Sequence, residues 1–352
     1  MPEVTLKKIL AEHTKEGELY TKLSNNWVQC FACGHRCKIP PDKDGICRIR
    51  FNQQGILFVP YGYVSGIAID PIEKKPFFHA FPGSNTLSFG MLGCDFHCSF
   101  CQNWITSQTL RDSHAVSSIQ VINAEEIVSL ALQHKIPIVT STYNEPLITT
   151  EWAVEIFKLA KNAGLVTSYV SNGNATPEVL DYLQPWIDLY KIDLKSFRQK
   201  AYAQMGGVLK NVLDTIRSLY KRGKWIEIVT LVVPGINDSN EELTDIAKFI
   251  HSISPDIPWH VTAYHQEYKM TGEEFTPIST LIHAAEIGYK EGLHFVYTGN
   301  RPGQTRNYEN TYCYYCNDLL VERRGFQVLR NRISNGTCLK CNTKIAGRWI
   351  DQ

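Results

Sequence analysis

The chain has 352 residues, enough for one large α/β domain with small appendages. Its 36 Lys+Arg stand against 35 Asp+Glu, and a formal charge of +1 gives no broad electrostatic reason to bind nucleic acid or an anionic membrane. The start, MPEVTLKKILAEHTKEGELY, lacks the apolar region of a secretion signal, and no apolar run reaches about 18 residues, so a cytoplasmic protein without a membrane span is expected.

Residues 1–85 read as an N-terminal cysteine-rich module. Turn signals (IPPDKDG, NQQG, FPGSN) alternate with short apolar runs such as ILFVPYGYV, the pattern of a loop-rich, partly β unit. Cys30, Cys33, Cys37 and Cys47 make a four-cysteine set that begins Cys-x2-Cys-Gly, suited to zinc or to an auxiliary iron–sulfur cluster. His35 lies among them but is not needed as a fifth ligand. The segment then reaches DPIEKKPFFHAFPGSN, whose two prolines and dense charge argue against a continuous helix. It is expected to be a solvated loop, or else a loop over a barrel mouth that brings Lys74, Lys75 and His79 near a substrate.

Residues 86–300 alternate strand-like and helix-like stretches. The strands are TLSFG, PIVTST, LVTSYVS, IDLYKIDL, WIEIVTLVV, WHVTAY and LHFVYTG. Between them, AEEIVSLALQH, TEWAVEIFKLAKNAG, PEVLDYL, VLDTIRSLYKRG, NEELTDIAKFIHS and STLIHAAEIGYKEG carry helical apolar spacing. Such alternation predicts parallel strands with right-handed crossovers: a partial or full β/α barrel, or a doubly wound sheet. In either, ligands bind at the carboxyl ends of the strands.

Residues 305–352 hold Cys313-x2-Cys316 and Cys338-x2-Cys341, close to the spacing of a zinc ribbon. Asn317 and Asn342 each follow the second cysteine of a pair, where a positive φ is expected and Asn tolerates it. So short a segment needs its metal to fold, and removing zinc is expected to unfold this segment alone.

Three cysteines remain, Cys94, Cys98 and Cys101, in the stretch GCDFHCSFCQNW. The eleven cysteines thus divide into groups of four, three and four, and an odd total without a secretion signal argues for metal over disulfides. A zinc knuckle including His97 is one reading of the central group. Three thiolates after a first strand also suit a four-iron cluster with one iron left open. This C-x3-C-x2-C pattern, with Phe100 just before the last cysteine, resembles the signature of radical S-adenosylmethionine (SAM) enzymes. The resemblance implies a [4Fe–4S] cluster whose open iron binds SAM. It implies an electron donor such as flavodoxin or ferredoxin, and reductive cleavage of SAM to a 5′-deoxyadenosyl radical that abstracts hydrogen from a substrate.

Later strand ends fit the same resemblance. TSTYNEP sits where pyruvate formate-lyase activating enzymes carry a Gly-Gly-Glu-Pro-type motif. Glu145 is its best match for the SAM amino group, whereas Tyr143 and Asn144 replace the glycines. VSNGN supplies Ser171 and Asn172 as donors. In DLYKIDLKSF, Lys191, Asp193 and Lys195 share one strand face. By the match Lys195 pairs with the SAM carboxylate and Asp193 with a hydroxyl or a cation. TLVVPGIND resembles a segment that shapes the SAM pocket. In WHVTAYHQEYKM, His265 is a SAM contact by resemblance, with His260, Tyr264 and Lys269 as candidates for the substrate side.

From about residue 27 to 350 the chain resembles the radical SAM component of the AmmeMemoRadiSam system. That resemblance rests on the cysteine knuckle, IEKKP, GC-x3-C-x2-CQNW, YNEP, DLK and a cysteine ribbon after YTGN. It implies a partial (β/α)6-type radical SAM barrel flanked by the two cysteine modules, and partners of the Memo-like and AMMECR-like kinds, but no substrate. Activation or modification of a partner protein competes with transformation of a small molecule. A zinc-stabilised nucleic-acid-binding protein is the alternative from another class.

Overall fold

The computed structural model describes residues 5–272 and 274–349. Seven extended stretches fall on the strands read from the sequence: Asn85–Gly90, Ile138–Ser141, Val166–Ser171, Leu189–Asp193, Trp225–Val232, Trp259–Ala263 and Val296–Gly299. Six helices between them fall on the helical stretches read from the sequence: Ala124–Gln133, Thr150–Asn162, Pro177–Leu183, Leu209–Lys221, Asn240–Ile253 and Ile278–Lys290. Local chemistry fixes their starts. Asn123 and Glu126 form a reciprocal capping box, Thr176 caps a helix that begins with Pro177, and Ser239 accepts from the amide of Glu242. Sequence reading missed the helices Leu6–Glu12, Trp104–Ser107 and Gln199–Gln204, which are too short to display a period.

The chain divides into two units. The first comprises residues up to Ile69, Thr86–Asp188 and Ala203–Thr215; the second comprises Asp70–Asn85, Leu189–Tyr202 and the chain from Ile216 onward. In the first, Ile138–Ser141 pairs in parallel with both Asn85–Gly90 and Val166–Ser171. The helix Thr150–Asn162 packs on Ile138–Ser141 and Val166–Ser171, and its Phe157 meets Phe89 and Tyr169. In the second, the strands from Leu189–Asp193 to Val296–Gly299 pair in parallel in chain order. Ile278–Lys290 packs on the last two. Trp259–Ala263 is buried throughout, as expected of a parallel strand covered on both faces. The α/β class with parallel strands is therefore present.

The cysteine-rich ends are small antiparallel pieces. Tyr20–Lys22, Val28–Cys30 and Lys38–Ile39 form one sheet near the N-terminus. Thr311–Tyr312, Leu319–Arg324 and Gln327–Asn331 form another near the C-terminus. Among the described residues no helix is long and apolar enough to cross a membrane.

The IEKKPFFHAF segment corrects the sequence reading: it is largely buried, and of its charged residues only Lys74 stays exposed. Glu73, Lys75 and His79 are buried. Lys75 Nζ pairs with Asp70 at 2.7 Å, and Lys74 pairs with the other oxygen of the same carboxylate at 2.7 Å. Glu227 accepts from the amides of Phe78 at 2.9 Å and His79 at 2.8 Å. The His79 ring lies between the Ala346 carbonyl at 2.7 Å and the Tyr297 hydroxyl at 2.6 Å. The charges that suggested solvent have buried partners instead, which satisfies them away from water.

Candidate active site

The first strand ends at Gly90 and runs straight into the loop of Cys94, Cys98 and Cys101. A Cβ at Gly90 would lie 2.3 Å from the Thr142 carbonyl and 2.9 Å from Tyr143 Cβ. Only glycine lets this strand end lie against the YNEP turn. The turn is then stitched to the cysteine loop. Asn144 Oδ1 accepts from the Met91 amide at 3.0 Å, Thr106 Oγ1 donates to the Tyr143 carbonyl at 3.2 Å, and the Glu145 amide donates to the Gly93 carbonyl at 3.4 Å. Tyr143 has φ 70, the left-handed conformation that a glycine adopts freely. This explains physically why a glycine-rich motif suits the position, and the chain meets the same demand with a tyrosine.

Glu145 is buried and accepts three hydrogen bonds: Ser171 Oγ at 2.7 Å, the Asn172 amide at 2.7 Å and the Leu147 amide at 3.1 Å. Three of the residues proposed from sequence, Glu145, Ser171 and Asn172, therefore form one group. Burial first, and then the neighbouring Asp95, push the Glu145 carboxyl up to about 8.

In the loop itself Cys98 and Phe100 are buried, Cys94 Sγ accepts from the Phe96 amide at 3.3 Å, and Cys101 Sγ lies 3.2 Å from Ser107 Oγ. Burial, then the Asp95 carboxylate, raise the Cys94 thiol well above its ordinary value. A metal that takes the thiolate directly would reverse that balance. Asp95 went unnoticed in the sequence. It is fully buried, and its two oxygens accept from Asn172 Nδ2 at 2.7 Å and Asn174 Nδ2 at 2.8 Å.

In the second unit Asp193 pairs with both Lys191 and Lys195, the latter at 3.2 Å. Burial alone would raise the Asp193 carboxyl, but the two ammoniums, Lys191 first, outweigh it and hold it near 2. His265 is exposed, with Nδ1 3.9 Å from Glu267. Two of the substrate-side candidates on the same stretch, His260 and Tyr264, are corrected. His260 is buried against Glu227 at 2.7 Å, and the buried Tyr264 hydroxyl donates to the Met270 carbonyl at 2.7 Å, so both are occupied in the core. Lys269 lies over the Tyr268 ring.

The cysteine modules differ in how closely they gather. The sulfurs of Cys313, Cys316, Cys338 and Cys341 all lie within 4.8 Å of one another. Asn317 and Asn342 have φ 57 and φ 60, as their positions in the knuckles required. Cys30, Cys33 and Cys47 are buried and Cys37 is half-buried.

Residues 90–250 match the family model described as the Radical SAM superfamily. An uncharacterized protein of Methanocaldococcus jannaschii is 35% identical over 335 residues, covering 94% of this chain and 98% of the relative. The chain belongs to the radical SAM superfamily. A pyruvate formate-lyase-activating enzyme of Staphylococcus epidermidis is 27% identical over 194 residues, 53% of this chain and 76% of the relative. Among solved structures, a domain of pyruvate-formate lyase-activating enzyme from Bacteroides vulgatus matches 46% of this chain and 98% of its own at 21% identity, with a TM-score of 0.41. Membership of the radical SAM superfamily implies a [4Fe–4S] cluster and SAM. The donor set at Cys94, Cys98 and Cys101 fits such a cluster, since three thiolates supply all but one of its protein ligands.

Proposed function

We propose that this chain is a radical SAM enzyme that cleaves SAM reductively and takes a hydrogen atom from a partner protein. The observation that carries this reading is the three-cysteine loop at the carboxyl end of the first parallel strand, stitched to a buried carboxylate, Glu145. The cluster, when bound, supplies one electron to SAM, drawn from a flavodoxin- or ferredoxin-like donor. Cys94, Cys98 and Cys101 hold it, and the buried Phe100 shields it. Glu145 receives the SAM amino group, oriented by Ser171 and Asn172, and Asn144 fixes the turn. Lys195 pairs with the SAM carboxylate, Asp193 positions Lys195, and His265 completes the SAM contacts. With the cluster and SAM in place, this site would supply reductive cleavage of SAM and hydrogen abstraction, with methionine and 5′-deoxyadenosine as the products.

A protein substrate is favoured because the chain resembles an activating enzyme of pyruvate formate-lyase over about half of its length. Memo-like and AMMECR-like proteins are the partners to try. The C-terminal cysteines hold zinc in this reading. Their sulfurs pair at 3.6 Å, Cys313 with Cys341 and Cys316 with Cys338. That matches the edge of about 3.8 Å of a tetrahedron with Zn–S bonds of about 2.3 Å. The N-terminal set of four cysteines holds a second thiolate-bound metal.

The test is anaerobic reconstitution with iron and sulfide. Reduced wild type should release 5′-deoxyadenosine and Cys98→Ala should not; equal release by both would remove the cluster from this loop. Deuterium passing into 5′-deoxyadenosine from a labelled partner protein supports a protein substrate. Transfer only from a labelled metabolite would assign the chain to small-molecule chemistry.

A further inference from the structure

The loop of cluster cysteines is braced by the N-terminal knuckle, and the two meet at Asp95. Asn174, whose side-chain amide holds Asp95 Oδ2, is itself gripped by the knuckle. Its carbonyl accepts from the Gly34 amide at 2.7 Å, and its Oδ1 accepts from Asn211 Nδ2 at 3.1 Å. A Cβ at Gly34 would fall 2.3 Å from Asn174 Oδ1 and 2.3 Å from Asn211 Nδ2, so this approach requires glycine just after Cys33. His35 Nε2 is buried, has no hydrogen-bond partner among the described residues, and faces Asp95 Oδ2 at 3.9 Å. A second brace runs through Arg111. Its guanidinium donates to the Phe96 carbonyl at 2.9 Å and to the Ile46 carbonyl, just before Cys47, at 2.5 Å.

We propose that Asp95 is the positioning residue through which the N-terminal knuckle holds the cluster loop and lowers the reduction potential of the cluster bound there. The physical argument is Coulombic. Reduction adds an electron to the cluster, and Asp95 is a buried acidic side chain directly after Cys94. In a low-dielectric surrounding, a nearby anion opposes that gain of negative charge. The two asparagine amides fix where the carboxylate stands, and the knuckle holds the backbone of one of those asparagines. Metal at the N-terminal cysteines thereby acts on the radical centre by holding its neighbour in place.

The inference rests on the cluster assignment above, and its test separates the two. Full-length protein, reconstituted anaerobically, is titrated with reductant and followed by electron paramagnetic resonance, with iron and zinc counted in parallel. Asp95→Asn should raise the reduced-to-oxidised ratio at a fixed potential about tenfold, a positive midpoint shift of about 59 mV for one electron. Asn211→Ala leaves the Asp95 charge and removes a support of Asn174. It should alter the g-values of the reduced cluster and speed its loss to a chelator several-fold, with metal at the N-terminal site unchanged. Wild type without iron would overturn the cluster assignment itself. Iron-loaded Asp95→Asn with the wild-type midpoint would overturn the role of Asp95 alone. If Asp95→Asn binds no iron, Asn211→Ala decides: wild-type g-values and chelator resistance reject the proposal.

Discussion

Ser171 Oγ donates to Glu145 Oε1 at 2.7 Å, so the ends of two different strands share one buried carboxyl group. Burial and Asp95 leave that group with a proton affinity near pH 8 in the free chain. A cationic amino group placed beside it would favour the ionised form. SAM binding near pH 7 should therefore release a proton. Calorimetry in two buffers of different ionisation enthalpy reads this directly. Glu145→Gln should release none and bind SAM more weakly by about 2 kcal/mol, roughly thirtyfold. Wild type that binds SAM without proton release would remove Glu145 from the contact.

Lys191, Asp193 and Lys195 make a three-charge row in which the middle carboxylate serves both ammoniums. Lys191 is nearly buried, whereas Lys195 keeps about a fifth of its side chain in solvent. Lys195→Ala should lower SAM affinity about tenfold, with iron content and thermal midpoint near those of wild type. Asp193→Ala leaves the buried Lys191 without its carboxylate and should cost about 3 kcal/mol in urea unfolding. If both variants lose only stability, the row is a structural ion pair and SAM is held elsewhere.

The contrast between these two groups shows what the sequence carries. Strand and helix positions were legible because apolar periodicity is local. DLK and YNEP were legible because polar residues at a strand's carboxyl end stand out from its apolar run. Asp95 was not, since one acid between two cysteines looks like spacing. Its partners Asn172 and Asn174 are 77 and 79 residues away. The charged IEKKP segment misled for the same reason. The ligands that bury it, Glu227, Tyr297 and Ala346, come from far along the chain, and nothing near it in sequence announces them. His260 misled in turn because a histidine in a strand looks the same whether it faces a ligand or, as here, a buried glutamate.

His79 gives a pH dependence with a definite sign. Burial lowers its imidazole to about 4, against an attraction from Glu227 that would raise it. An unfolded histidine takes up its proton near pH 6.5, before the folded one does. Below about 6.5 the unfolded state thus binds more protons, and stability falls as pH falls, until about 4. The loss should reach about 3 kcal/mol over that window. Urea midpoints at pH 7, 5.5 and 4.5 measure it. His79→Gln should start lower, through lost packing, but show a visibly shallower slope. An unchanged slope in the variant would assign the acid sensitivity to other groups.

Metal loss at the C-terminal cysteines should spread beyond the ribbon, contrary to the expectation from sequence that only the last segment would unfold. Cys313 and Cys338 share one apolar cluster with Phe78, Phe295 and Tyr297. The same region is joined to residues 78–81 by backbone bonds: Arg348 N to the His79 carbonyl at 2.7 Å, and Phe81 N to the Arg348 carbonyl at 2.8 Å. Arg323 adds a bond from its guanidinium to the Phe78 carbonyl at 2.7 Å. A ribbon this small holds its shape through the metal. Chelation should therefore release the amides of Phe81 and Arg348 to hydrogen exchange together with those of residues 313–345. The strands Asn85–Gly90 and Ile138–Ser141 should keep their protection. From Thr86 onward those two belong to the other unit, and they pair with each other. Continued protection of Phe81 after the metal has left would show that the apolar cluster, and not the metal, holds the ribbon in place.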